Sequence, residues 1–272
     1  MGRIVLPALF ALAVWWFSTG AILFLDRLPR WTFRWSLLAA SALAAIALAG
    51  LAWAGGHATP TGAYAAFSCA IIVWGWQELG FLTGLVTGPR RTGCHQRCAG
   101  WAHLGHAVLA VLYHELALAA CGVAVWLVTS GEANTIGLQT FLVLWVLRMS
   151  AKFNLYLGVP NLNEEMLPDH LRYLESYLVR KPMNALFPLS ITAGTALSVM
   201  LWQAAIAPAA SDFEAVGASL LAALATLAVL EHWFMVLPLP SAALWSSWGL
   251  GLEGIGGRQQ APVVTKTIGH VH

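Results

Sequence analysis

The sequence predicts an all-α polytopic membrane protein of about seven transmembrane helices, its N-terminus outside and its C-terminus cytoplasmic. Three observations predict it. Of 272 residues, 59% are hydrophobic and 10% charged, against about 25% charged in a typical soluble domain. The apolar residues arrive in blocks of about 20, the length that crosses roughly 30 Å of hydrocarbon. Lysine and arginine also segregate to one side of the blocks.

The first span, 4–25, has only Arg3 ahead of it. It runs into Asp26-Arg27-Leu28-Pro29-Arg30 with no small-residue cleavage site, so it is a retained helix rather than a signal peptide. The others are 35–54, 61–84, 101–128, 136–157, 185–206 and 214–237. Turn chemistry separates them at Gly55-Gly56 and Pro60, Gly88-Pro89, Gly131, Pro160, Pro182, Pro208 and Pro238. The transmembrane domain is taken as 1–245 and the Gly-rich remainder, 246–272, as a flexible cytoplasmic tail. Between spans five and six, Pro168 and Asp169 open a segment in which Leu171, Leu174 and Leu178 recur, which predicts a cytoplasmic amphipathic helix at 167–181.

With seven spans, Arg27, Arg30, Arg34, Arg90, Arg91, Arg97, Arg148, Lys152, Arg172, Arg180, Lys181, Arg258 and Lys266 share one side, and Arg3 lies on the other. Six or eight spans break that separation, and the excess marks the cytoplasmic side. The 14 Trp suit membrane interfaces. A net charge of +2 without a basic, aromatic-interleaved patch excludes a nucleic-acid partner. Cys69 and Cys121 fall inside apolar segments, which argues against a disulfide framework. The chain lacks a Walker loop, a dinucleotide fingerprint, a Gly-x-Ser-x-Gly elbow and an internal repeat.

An ionisable side chain in a span costs about 2.5–3.5 kcal/mol on insertion scales. Glu78 on span three, His103, His106, His114 and Glu115 on span four, Arg148 and Lys152 on span five, and Glu231 and His232 on span seven each need a reason. All fall in the cytoplasmic half or near the middle of the bilayer. At 100° per residue, His103 and His114 nearly coincide in direction and His106 lies about 60° away. One reading pairs the acids with Arg148, Lys152 or a protonated histidine as structural ion pairs. Another gathers Glu and His around a cytoplasm-facing cavity that binds a metal or the central metal of a tetrapyrrole. An iron centre would draw on Glu78, His114, Glu115, Glu164, Glu165, His170, Glu231 and His232. The chain lacks the Glu-x-x-His spacing of carboxylate-bridged bundles. Cys94-His95-x-x-Cys98 is a short zinc-like run that lacks a second Cys pair. Arg90 and Arg91, in Thr87-Gly-Pro-Arg-Arg91, set topology, and at headgroup level suit an anionic lipid or a propionate.

Thr87-Gly-Pro-Arg-Arg91, Tyr113-His-Glu-Leu116, the run 163–177, Phe187-Pro-Leu-Ser190 and Glu231-His-Trp-Phe-Met-Val-Leu-Pro238 resemble the PuhE family. The resemblance spans about residues 5 to 245 and is carried chiefly by 163–177 and Glu-His-Trp-Phe. It implies a multi-pass bacterial inner-membrane protein encoded near reaction-centre genes. The implied role is support of reaction-centre or light-harvesting assembly and of bacteriochlorophyll supply. The implied ligand is bacteriochlorophyll or a precursor, held through His103, His106, His114 and His232 with Arg90 and Arg91. Partners are then membrane lipids and reaction-centre or light-harvesting subunits, or pigment-synthesis enzymes. The family brings no settled catalytic residue, so none is assigned. The alternative is a membrane di-iron oxidoreductase acting on a pigment precursor or quinone, and a transporter or channel comes third.

Overall fold

A computed structural model describes residues 2–95, 98, 100–162 and 167–237. Seven helices are long and apolar enough to cross a membrane: α1 (Gly2–Asp26), α2 (Phe33–Gly55), α3 (Pro60–Leu82), α4 (Gly100–Thr129), α5 (Ile136–Leu157), α6 (Leu186–Ile206) and α7 (Asp212–Phe234). The described residues contain no strand, only a single parallel bridge between Val159 and Arg180. The chain is a multi-pass helical membrane protein, and the seven expected spans match within a few residues.

Two helices are the centre of the bundle. α3 packs against α1, α2, α4, α5 and α7, and α7 against α1, α3, α5 and α6. Their interiors are rich in small residues: Ala63, Ala66 and Ala70 on α3, and Ala215, Gly217, Ser219, Ala222 and Ala225 on α7 are buried. Lipid offers no hydrophobic drive for helix pairing, so close backbone approach and dispersion hold such a bundle together. Gly217 lies so close to Ile136 of α5, and Gly137 to Leu51 of α2, that a Cβ at either site would force that neighbouring side chain to shift. The outer helices turn Leu6, Phe17, Leu38, Ile46, Leu189 and Met200 outward, as lipid contact requires.

Helix ends are capped by sequence-legible means. Thr59 accepts from Gly62 N ahead of Pro60 at the first position of α3. Ser211 and Glu214 form a reciprocal capping box on α7. Asn184 accepts from Leu186 N and Phe187 N at the start of α6 and donates to the Asn154 and Gly158 carbonyls at the end of α5. Arg3 pairs with Asp212, joining the starts of α1 and α7. Asn134, just before α5, donates to the Ala54 and His57 carbonyls beside the start of α3. The odd-numbered helices therefore start at one end. Among the described residues, Arg3 marks that end, and the other cations lie at or toward the opposite one, called here the basic end.

The segment expected as an amphipathic helix at 167–181 is a shorter 3₁₀ turn, Asp169–Tyr177, with Leu171, Leu174 and Tyr177 buried. A three-residue repeat aligns 171, 174 and 177 on one face, whereas an α-helical spacing would select Leu178. That face packs on the bundle, against Phe81 and Ala110. The tail expected at 246–272 lies outside the described residues, as do Glu164 and Glu165.

Candidate functional site

A cavity of about 650 Å³ opens between α1, α3, α4, α5 and α7 in the basic half of the bundle. Trp74, Phe81, Val108, Leu144, Leu147 and Leu224 are among its apolar walls. Glu78, Glu115, Arg148, Lys152, Glu231 and His232 are its acidic, basic and histidine lining. They come from four helices, α3, α4, α5 and α7, and meet because they sit at similar depth along their spans. A largely apolar cavity of this size with a few convergent polar groups is the usual form of an organic-ligand site.

Two of the acids, Glu78 and Glu115, are paired with cations. Arg148 Nη2 donates to Glu78 Oε2 at 3.0 Å, and Lys152 Nζ to Glu115 Oε1 at 2.6 Å. Glu231 Oε1 accepts from Trp15 Nε1 at 3.0 Å. The second carboxylate oxygen of Glu78 is buried without a hydrogen bond. Lys152 also stands 6.0 Å from the Phe81 ring centre. In a low dielectric these pairs compensate charges that would otherwise be costly to keep within the membrane.

The histidines separate into distinct environments. His232 Nδ1 donates to the Ala228 carbonyl at 2.8 Å, which leaves Nε2 to pair with Ser150 Oγ at 3.0 Å. His114 is fully buried behind Phe81, with ring centres 4.6 Å apart, and neither ring nitrogen has a hydrogen-bond partner. His170 Nε2 donates to the Leu82 carbonyl at 2.7 Å beside Gly84, whose φ of +75° suits glycine. His103 and His106 lie off the cavity, facing Cys94 and Cys98. Among the described residues the intramembrane Glu and His groups do not converge as a metal-ligand cluster; Cys94, Cys98 and His106 do.

The loop after α3 frames the site. His114 N donates to the Thr87 carbonyl and Arg90 N to the Leu109 carbonyl, so the loop joins the backbone ladder of α4 partway along the helix. Gly88 lies against Leu109 and Ala110 with no room for a Cβ. Arg90 donates to the Tyr177 hydroxyl at 2.8 Å and to the Gly93 carbonyl. Arg91, with Arg30 and His170, lines a smaller surface pocket of about 230 Å³. Outside the spans, the hydrogen bond with the neighbouring Cys94 thiol holds the Cys98 thiol above its ordinary pKa.

Sequence reasoning missed two polar participants and one buried acid outside the cavity lining. Trp15 sits in an uninterrupted apolar run that does not show which way its indole faces. Ser150 draws attention only once His232 is placed. Asp26 ends α1 and is buried with both carboxylate oxygens unpaired, one residue beyond the expected span.

The chain matches the family described as "Protein of unknown function (DUF3623)" over residues 1–254. It is 41% identical over 249 residues to "Uncharacterized 30.4 kDa protein in puhA 5'region" of Rhodobacter capsulatus, a match covering 89% of each chain. No solved structure matches it.

Proposed function

The chain belongs to the family described as "Protein of unknown function (DUF3623)", and from that footing we propose that it is a bacterial inner-membrane accessory protein of photosynthetic complex assembly. In this reading it holds bacteriochlorophyll or a precursor in the cavity and passes it toward reaction-centre or light-harvesting subunits. The observation that carries the reading is the cavity itself, apolar-walled, membrane-embedded, and lined by Arg148, Lys152 and Glu231. The relative's name, which places it 5' of puhA, agrees with the gene neighbourhood that the PuhE resemblance implies.

A chlorin is broad and apolar, with carbonyl or carboxylate substituents at its edge and a central metal that takes a neutral imidazole. Arg148 and Lys152 are donors suited to the edge groups. His114 suits the axial role, since its nitrogens are unengaged and its ring lies 4.6 Å from that of Phe81, a cavity-lining residue. His232 is less suited because both its nitrogens already have partners. Arg148→Ala and Glu231→Ala, expressed in a phototrophic host lacking the chromosomal copy, test the reading. It expects a several-fold loss of assembled complex by membrane absorbance after normalising to the membrane level of each variant, a level that Arg148→Ala lowers by unpairing Glu78. Full assembly with either variant counts against the cavity as the working part.

The iron alternative draws less support. Glu78 and Glu115 are held by cations, and His232 is held by Ala228 and Ser150. Near two iron atoms per purified chain would reinstate it.

A further inference from the structure

Three potential ligand atoms, from Cys94, Cys98 and His106, meet at the basic end, off the cavity and independent of the pigment reading, and His103 borders them through Cys94. His106 Nδ1 lies 3.2 Å from Cys98 Sγ and 3.6 Å from Cys94 Sγ, and His103 Nδ1 lies 3.3 Å from Cys94 Sγ. The ligand atoms of Cys94, Cys98 and His106 all fall within 4.8 Å of one another. One nitrogen is thus shared by two sulfurs, and one sulfur by two imidazoles. Separate hydrogen-bonded pairs have no need of that convergence, whereas a single central ion does. Metal–sulfur bonds of about 2.3 Å and metal–nitrogen bonds of about 2.0 Å at tetrahedral angles separate sulfur and nitrogen by about 3.5 Å.

We propose that Cys94, Cys98, His103 and His106 form a structural tetrahedral site for Zn²⁺. On binding, each thiol loses its proton to solvent and both imidazoles bind as neutral rings. Two thiolates with two imidazoles suit zinc; Mg²⁺ and Ca²⁺ want oxygen ligands. His95, the neighbour that the short sequence run suggests, is exposed at the surface; the nitrogen ligands come from the first turns of α4 instead. One helical turn, i to i+3, brings His103 and His106 to the same side of that helix.

The surroundings hold the ligands in place. Cys94 N donates to Ser176 Oγ at 2.8 Å, which ties the cysteine loop to the 3₁₀ turn. Tyr156 stacks on His103 at 5.5 Å, and Tyr177 lies 5.9 Å from it. Tyr177 is in turn fixed by Arg90 and the Thr92 carbonyl. Both tyrosines also line the large cavity. An ion here would therefore lock the loop, the start of α4 and the 3₁₀ turn together where the cavity meets the basic end.

The test is a Co²⁺ titration of the full chain, purified in detergent under reducing conditions and stripped with a chelator. One Co²⁺ per chain with strong thiolate-to-cobalt charge-transfer absorption, displaced by one equivalent of Zn²⁺, is the expected result. The band should vanish in Cys94→Ser/Cys98→Ser and persist in Cys69→Ser/Cys121→Ser. His103→Ala should weaken affinity at least about 10-fold, no less than a typical supporting-residue loss. A wild-type chain without the band overturns the site whatever the variants do. So does a band that survives the Cys94→Ser/Cys98→Ser change, or a Cys94–Cys98 disulfide that persists after reduction.

Discussion

At the residue scale, the interior of the basic half depends on matched charges. Glu78 is nearly inaccessible while Arg148 retains 45% of its side-chain surface, so the cost of breaking the pair falls below that of a fully buried one. Glu78→Gln should lower stability by about 1–3 kcal/mol, a buried-pair loss discounted for solvent access at the guanidinium. Glu78→Leu with Arg148→Met should recover most of it. Thermal unfolding of the detergent-solubilised variants measures both, and a double variant no more stable than Glu78→Gln would refute the pairing account. His114→Ala and Glu231→Ala should impair complex assembly while His57→Ala does not. His57, near the opposite end, stacks on Trp53 and pairs with its carbonyl. Equal behaviour of the three in complementation would remove the case for a site. Depth made Glu78, Arg148, Lys152 and Glu231 legible in the sequence, because an ionisable residue inside an apolar run stands out. Their partners were not legible, since pairing depends on which helices become neighbours and which faces meet. For the same reason Trp15 escaped notice, although it holds Glu231.

At the element scale, the chain's turn and cap residues account for where helices stop and start. Ser211→Ala removes the reciprocal cap of α7 and should cost about 1 kcal/mol in thermal unfolding. An unchanged midpoint would show that α7 is held by packing alone. Gly88 has a more specific duty, because the loop after α3 meets the backbone of α4 there. Gly88→Ala must push the loop off Leu109 and Ala110 and release Thr87 from His114 N. It should raise proteolysis at 83–95 severalfold while leaving the seven spans inserted; unchanged proteolysis would contradict the close approach. The seven spans were legible because hydrocarbon thickness dictates their length. The 3₁₀ turn was not, because leucines three apart suit either a 3₁₀ or an α pattern until Tyr177 is seen to be buried. Likewise, Cys94-His95-x-x-Cys98 pointed to metal chemistry, but His103 and His106 join it only through the fold of the loop back onto α4.

For the whole molecule, asymmetry is the organising fact. One end carries Arg3 and Asp212, and the other carries the remaining described cations, the cavity and the cysteine–histidine cluster. From the positive-inside rule we propose that this basic end faces the cytoplasm. A reporter active only in the cytoplasm should work when fused after residue 237 and fail when fused ahead of Arg3. The reverse pattern would overturn the orientation. In the proposed orientation and role, the cavity, walled by α1, α3, α4, α5 and α7, would face the compartment where pigment is made. The most direct measurement is the absorption spectrum of the full chain purified in mild detergent from a pigmented phototrophic host. The account predicts a chlorin band that co-elutes with the protein at up to one per chain and is lost in Arg148→Ala. A colourless protein that also fails to shift the spectrum of added bacteriochlorophyll-class pigment would contradict it.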